Sequence, residues 1–296
     1  MPGFRAACSM PWSALDCSFR NAAFQHTRAG LISLAVCFHC QDRTMMDIAV
    51  LSLFAFAAGL IDAAVGGGGL IQIPALFNVL PTAQPAALLG SNKLASVCGT
   101  AFAARSFIRK VTLDWGLIVP AALSAFVMSF AGAATVSRVP PSVMRPAVLV
   151  LIVLMAIYTF CKKDFGTLHK PARIGRREQC LAVLIGGAIG FYDGLFGPGT
   201  GSFLIFLFIR FFALDFLHAS ASAKVVNIAT NLAALVFFVP SGNVLYAIAL
   251  PMAACNILGA LTGTWLAVRK GAGFVRGLFL ILLCVLIAKL SWDLLN

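Results

Sequence analysis

Ten apolar segments follow one another along the chain, at about 46–65, 70–80, 86–104, 115–137, 146–161, 179–196, 201–214, 219–239, 244–268 and 274–292. Most approach the roughly 20 residues that a helix rising 1.5 Å per residue needs to cross a hydrocarbon core. The segments at 70–80 and 201–214 are shorter, and each follows a cluster of glycines. Between and within these segments charge is scarce, at 11% of residues against about 25% in a soluble domain. So few charges cannot cover a water-facing surface. That excludes a soluble enzyme, a disordered chain and a nucleic-acid binder built on a basic groove. The expected fold class is an all-α polytopic integral membrane protein.

The net charge of +12 fits this reading, because cytoplasmic loops of membrane proteins collect Lys and Arg. The loop at 162–177 carries Lys162, Lys163, Lys170, Arg173, Arg176 and Arg177 and is expected on the cytoplasmic side. Arg105, Arg109 and Lys110 fall on that same side, whereas Arg138 and Arg145 fall on the other. Of the nine cysteines, Cys98, Cys161, Cys180, Cys255 and Cys284 lie in or beside apolar segments, where a thiol packs as a small hydrophobe. Cys37 and Cys40 lack the second ligand pair a zinc site needs, so no metal site, cofactor or disulfide framework is expected. The first 44 residues are richer in charge. Their one apolar run, 30–38, is too short to span a bilayer, and a natural-looking start follows at Met45-Met46-Asp47. Residues 1–44 are read as an over-called reading frame or a disordered cytoplasmic extension.

The two halves align without gaps at a constant offset. Gly59 and Gly190 stand 131 positions apart, as do Asp62 and Asp193, Gly66 and Gly197, Gly68 and Gly199, Ser91 and Ser222, and Lys93 and Lys224. The same spacing relates Phe107 to Phe238, Pro120 to Pro251, Gly132 to Gly263, Arg138 to Arg269 and Arg145 to Arg276. Matched Asp, Lys, Pro and Arg carry the argument, because those residues are rare in so apolar a chain. The expectation is two homologous repeats of about four to five helical segments each, giving eight spans plus two short broken or re-entrant segments. Such repeats are typical of secondary transporters with a site near the midplane; a duplicated scaffold with no transport role would share the pattern.

Two paired motifs hold the polar chemistry. The first is Gly59-Leu60-Ile61-Asp62-Ala63-Ala64-Val65-Gly66-Gly67-Gly68-Gly69, mirrored by Gly190-Phe191-Tyr192-Asp193-Gly194-Leu195-Phe196-Gly197-Pro198-Gly199-Thr200-Gly201. Runs of Gly, with Pro198, end helices, and unwound backbone at membrane depth is tolerated only where it is buried or lines a cavity. The segments that follow, from Leu70 and Ser202, are expected to begin with free N–H groups that favour an anion. The competing reading is close helix packing through small residues. Neither run is a nucleotide loop, since no Gly-Lys-Ser/Thr follows.

The second motif is Gly90-Ser91-Asn92-Lys93-Leu94-Ala95-Ser96 with Thr100, mirrored by Ala221-Ser222-Ala223-Lys224-Val225-Val226-Asn227 with Asn231. Helical spacing puts Lys93, Ser96 and Thr100 on one stripe, and Lys224, Asn227 and Asn231 on its equivalent. An ionised group at the bilayer centre costs about 2.5–3.5 kcal/mol on insertion scales. Asp62, Asp193, Lys93 and Lys224 therefore need partners or a purpose. Two readings stay open: structural Asp–Lys pairs that lock the repeats together, or lysines that receive an anion with an Asp as a proton carrier. His218 has no counterpart, since Ala87 occupies the matching place, and is read as a satisfied helix-end histidine. Trp115 and Tyr246 match at the repeat offset as an interfacial belt would. No catalytic constellation is visible.

The stretches GLIDAAVGGGGLIQIPALF (59–77), LLGSNKLAS (88–96), GFYDGLFGPGTGSF (190–203) and HASASAKVVNIATNL (218–232) resemble the TauE/SafE (sulfite exporter) family, in particular its branch of probable membrane transporter proteins. The resemblance covers about 46–292. It implies a multi-pass protein of the bacterial inner membrane with a duplicated helical core, in a family held to transport sulfite, sulfoacetate or related sulfur-containing anions. The chain is thus divided into an N-terminal extension (1–45), a first transmembrane repeat (46–161), a basic cytoplasmic loop (162–177) and a second repeat (178–296).

The expected function is alternating-access permeation of a small anionic solute through the lipid bilayer, without an enzymatic step and without nucleic acid. A homo-oligomer is compatible with the sequence. Lys93 and Lys224 would neutralise the anion, with neutral donors at Asn92, Asn227 and Asn231. Backbone donors would come from Gly66, Gly67, Gly68 and Gly69, and from Gly197, Gly199, Thr200 and Gly201. Asp62 and Asp193 would position the lysines or carry protons. The alternative is a non-transporting membrane protein, either a structural partner subunit or a membrane-embedded enzyme.

Overall fold

The structure, a computed structural model, describes residues 28–140, most positions from 142 to 154, and residues 175–270. All regular structure among the described residues is helical. The helices are α1 (Arg28–Val65), α2 (Gly69–Val79), α3 (Pro85–Ile108), α4 (Trp115–Val136), α5 (Arg176–Leu195), α6 (Thr200–Phe212), α7 (Phe216–Phe238) and α8 (Tyr246–Lys270). Helical positions also occur between 142 and 154. Residues 1–27 of the N-terminal extension, the basic loop as far as residue 174, Arg145, Cys161, Arg276, Cys284 and the expected span at 274–292 lie outside the described residues.

Four described helices combine the length and apolarity to cross a membrane: Thr44–Val65 within α1, then α4, α7 and Tyr246–Ala267 within α8. Helices α3 and α5, at 24 and 20 residues, are long enough but dilute their apolar residues with groups such as Asn92, Lys93 and Glu178. Helices α2 and α6 have 11 and 13 residues. At 1.5 Å per residue they reach about 16–20 Å, roughly half a bilayer. Their starts are set by breaks at Gly66–Gly68 and Phe196–Gly199, where the glycine runs fall.

Contacts divide the chain into two units, Met1–Val50 and Leu51–Asn296. Of the first, the described part is the N-terminal stretch of α1. Within the second, apolar side chains gather in several groups, two of which are built alike. One joins Ala121 and Ala125 of α4, Ala182 and Ile185 of α5, Leu204 and Phe208 of α6, and Ala219 and Val226 of α7. The other joins Met252 and Ala253 of α8, Leu51 and Ala55 of α1, Ala75 and Leu76 of α2, and Leu88 and Ala95 of α3. Each group thus takes three consecutive helices from one half and the last described long helix from the other.

Small residues make this exchange tight. A Cβ on Gly190 of α5 would lie 2.4 Å from the Ala125 carbonyl oxygen of α4, and one on Gly132 of α4 would lie 2.4 Å from that of Phe191. The α1–α8 contact repeats the arrangement: Gly59 would strike the Asn256 carbonyl at 2.2 Å, and Gly263 that of Leu60 at 2.1 Å. These are close backbone approaches of the kind that small residues permit between helices in lipid. Meanwhile Leu53, Leu123, Val127, Leu184 and Leu258 are more than half exposed. So many large apolar side chains turned outward suit a hydrocarbon surrounding rather than water.

Candidate functional site

The two helix breaks meet. Helix α1 ends at Val65, and Gly66 turns the chain at a φ of +77°, which a side chain disfavours. In the other half Gly197 sits at +91° and Gly199, the N-cap of α6, at +76°. A Cβ on Gly66 would come within 2.5 Å of the Gly201 carbonyl carbon, and one on Gly201 within 2.6 Å of the Gly66 oxygen. The Ser202 N–H donates to the Gly66 carbonyl at 2.9 Å, and the Ser202 hydroxyl donates to that of Val65 at 2.8 Å.

This corrects one expectation. The N–H groups of Leu70 and Ser202 are not free: Leu70 donates to the Gly67 carbonyl at 3.1 Å and Ser202 to Gly66. The helices start earlier than the hydrophobic pattern indicates, at Gly69 and Thr200. The close approach of the two breaks then uses up the Ser202 amide.

Each aspartate stands in the last turn before a break, and each lysine comes from the long helix that follows. The pairing crosses between halves. Lys93 of α3 donates from Nζ to Asp193 Oδ2 of α5 at 2.5 Å, and both side chains are almost fully buried (2% and 3% exposed). Asp193 Oδ1 accepts the Thr200 hydroxyl at 2.6 Å. Asp62 accepts the Thr100 hydroxyl at 3.1 Å on Oδ2 and the Gly68 N–H at 3.4 Å on Oδ1. Lys224 reaches the Asp62 backbone carbonyl at 2.9 Å, and its Nζ lies 5.2 Å from the centre of the Phe107 ring. A buried charge is tolerable only with such partners, and the cation–π contact supplies part of what Lys224 needs.

A cavity opens on this network. Its charged lining is Asp62, Lys93 and Asp193. Its backbone lining is Gly66 and Gly69 from the first break, and Gly197, Gly199 and Gly201 from the second. Asn92, Ser96, Thr200, Asn227 and Asn231 complete it. The volume open to the centre of a water molecule is about 20 Å³, room for one or two waters. Of the residues singled out from the sequence, Gly67, Gly68 and Lys224 are not in the wall. The Lys224 ammonium is buried behind it, against Asp62 and Phe107.

The polar groups differ in how far they are satisfied. Asn231 donates to the Asn227 carbonyl at 2.7 Å and to its side-chain oxygen at 3.1 Å. The Asn92 side-chain oxygen, by contrast, is buried without a hydrogen-bond partner among the described residues. Buried polar atoms are usually satisfied, and an oxygen of this kind can be satisfied only by a donor.

Three features escape sequence reasoning. The Tyr192 hydroxyl donates to the Pro198 carbonyl at 2.5 Å and braces the second break. Fully buried Gln72 of α2 accepts from Asn256 of α8 at 3.0 Å, and Asn256 also donates to the Ala55 carbonyl at 3.1 Å. Ser96, read only as part of a stripe, is in the cavity wall. The signal for Gln72 and Asn256 was a lone amide in an otherwise apolar helix. His218 lies outside the cavity wall, its Nδ1 2.8 Å from Asp215, the N-cap of α7.

Comparison with known proteins places the chain in a recognisable setting. The sulfite exporter TauE/SafE family model matches residues 51–290. A "Probable membrane transporter protein ORF9" from a Sinorhizobium species is 33% identical over 253 residues, covering 86% of this chain and 95% of that protein. The "Probable membrane transporter protein YfcA" of Escherichia coli K12 is 33% identical over 246 residues, covering 83% and 90%. A "Probable membrane transporter protein" of Haemophilus influenzae is 31% identical, covering 83% and 95%. No solved structure matches the chain.

Proposed function

Because the chain belongs to the sulfite exporter TauE/SafE family of membrane transporters, we propose that it carries a small anion by alternating access through the cavity between its two helix breaks. The substrate class is an oxyanion such as sulfite or a small organosulfonate, and the setting is the bacterial inner membrane. The polypeptide is read as a duplicated unit with eight spans and two half-span helices. Supporting this reading, Gly69 and Thr200, Pro85 and Phe216, and Trp115 and Tyr246 each begin a helix and each stand 131 positions apart.

The observation that carries the proposal is the ion pair from Lys93 to Asp193, which joins the two halves at the cavity wall. With Lys93 occupied and space for little more than a water, this arrangement is closed. On opening, the anion takes the place of Asp193 on the Lys93 ammonium. Backbone amides of Gly69 and Gly201 in the cavity wall, together with the Asn92 side-chain N–H, complete its hydrogen bonds. Released from Lys93, Asp193 is the carboxyl that carries a proton in this reading. Anion and proton therefore travel together, and Thr200 keeps the neutral carboxyl in place.

The test is flux of radiolabelled sulfite and small sulfonates in proteoliposomes of the purified protein, with and without a pH gradient. The expected result is saturable anion movement accelerated by an inward proton gradient. Movement of none of these anions under any gradient would overturn the reading.

A further inference from the structure

A second concave site lies away from the central cavity, at the C-terminal ends of α3 and α8. It encloses about 460 Å³. Its lining combines Arg105, Arg109 and Lys110 with Phe102, Leu261 and Trp265. No carboxylate is among its lining residues. The three cations form no salt bridge with a described residue. Arg269, one turn beyond Trp265, holds its guanidinium 4.7 Å from the centre of that ring and adds a fourth positive charge nearby.

Offsetting the dipole at the end of α3 would occupy one cation in the last turn. It leaves Arg109 and Lys110, beyond the helix, without a role. Depth supplies one. The apolar span in α8 runs to Ala267, so Trp265 stands in its final turn, half exposed, at the level where Trp marks the headgroup boundary. Phe102, Leu261 and Leu258 continue from the groove along the lipid-facing surface at 44%, 43% and 58% exposure. The site is therefore split as a phospholipid is split, with cations at headgroup depth and an apolar wall running inward. A soluble phosphate would gain nothing from that wall.

We propose that the groove binds the phosphate-bearing headgroup of an anionic phospholipid, with Arg105, Arg109 and Lys110 around the phosphate and an acyl chain along Phe102, Trp265 and Leu261. Basic pockets between membrane helices are known to take such headgroups. The site joins α3, which carries Lys93, to α8 from the other half, so a bound lipid bridges the two halves at the surface.

Native mass spectrometry of the delipidated full chain, titrated with dioleoyl phosphatidylglycerol or dioleoyl phosphatidylcholine, reads binding directly. The wild type should hold the anionic lipid roughly 100-fold more tightly, from about fivefold per cation. The triple variant Arg105→Gln/Arg109→Gln/Lys110→Gln should hold both lipids alike. Should that variant not fold, Arg109→Gln alone should lose roughly fivefold for the anionic lipid only. Trp265→Ala should weaken both lipids while keeping the preference. Equal binding of the two lipids by the wild type would overturn the site. So would an undiminished preference in the triple variant, or in Arg109→Gln where the triple variant does not fold. Glycerol 3-phosphate displacing the lipid at equal concentration would overturn it in favour of a soluble anion.

Discussion

Asp193 accepts Lys93 on one carboxylate oxygen and Thr200 on the other, so neither oxygen is left bare in the interior. Removing one partner of such a pair is costlier than removing both, because the survivor keeps its desolvation penalty with nothing to offset it. Lys93→Met should destabilise the protein by about 3–5 kcal/mol. Lys93→Met/Asp193→Leu should recover most of that, as read by thermal unfolding in detergent. A single variant as stable as wild type would show that the pair is not desolvated as described.

The coupling role separates from the structural one at the same residue. Asp193→Asn keeps a hydrogen-bond acceptor for Lys93 but cannot take up a proton. It should continue to move anion at a reduced rate and lose at least tenfold of the acceleration by a pH gradient. Gradient-driven flux that persists in Asp193→Asn would assign the proton to another group.

At the scale of the helix, the breaks rest on backbone that only glycine allows. Gly66→Ala places a Cβ at positive φ, costing about 1 kcal/mol, and drives it into the Gly201 backbone 2.5 Å away. It should lower the melting temperature and cut flux more than tenfold. Gly187→Ala, in α5, is the control. Its Cβ would meet only Met128 Cγ, in ordinary contact at 3.5 Å, and Ala is the better helix former. That variant should be neutral or slightly stabilising, with normal flux. Equal outcomes for the two glycines would mean that the break has no special backbone demand.

These elements also show what a sequence makes visible. That a short helix follows each glycine run comes from local chemistry, since glycine ends one helix before a new apolar run begins the next, although the starts at Gly69 and Thr200 fall one or two residues ahead of the apolar pattern. The repeat offset marks Asp62, Asp193, Lys93 and Lys224 as a set, because ionised residues are conspicuous among apolar ones. Which lysine meets which aspartate is a different kind of fact. Lys93 and Asp193 are 100 positions apart, and no periodicity reaches that far. The partner of Lys224 is a backbone carbonyl, to which the identity of a side chain gives no clue. The hydrogen bond that consumes the Ser202 amide is hidden for the same reason, since it depends on how closely two distant breaks approach, whereas that of Leu70 is a local turn to Gly67.

Across the molecule, part of α4 packs on α5, α6 and α7, while part of α8 packs on α1, α2 and α3. Gly59 and Gly190 hold matching places in this exchange, each against a carbonyl of the borrowed helix. Gly59→Val and Gly190→Val should therefore destabilise by similar amounts, about 1–3 kcal/mol each from overpacking, in the same thermal assay. A large effect from one and none from the other would contradict equivalent packing of the halves.

The measurement that bears most directly on this account is uptake of labelled sulfite or a small sulfonate into proteoliposomes, comparing wild type with Lys93→Met/Asp193→Leu. The double variant removes both charges together and should remain folded, with uptake reduced to the level of empty liposomes. Uptake at the wild-type rate would mean that the buried pair only locks the bundle and that the anion takes another path.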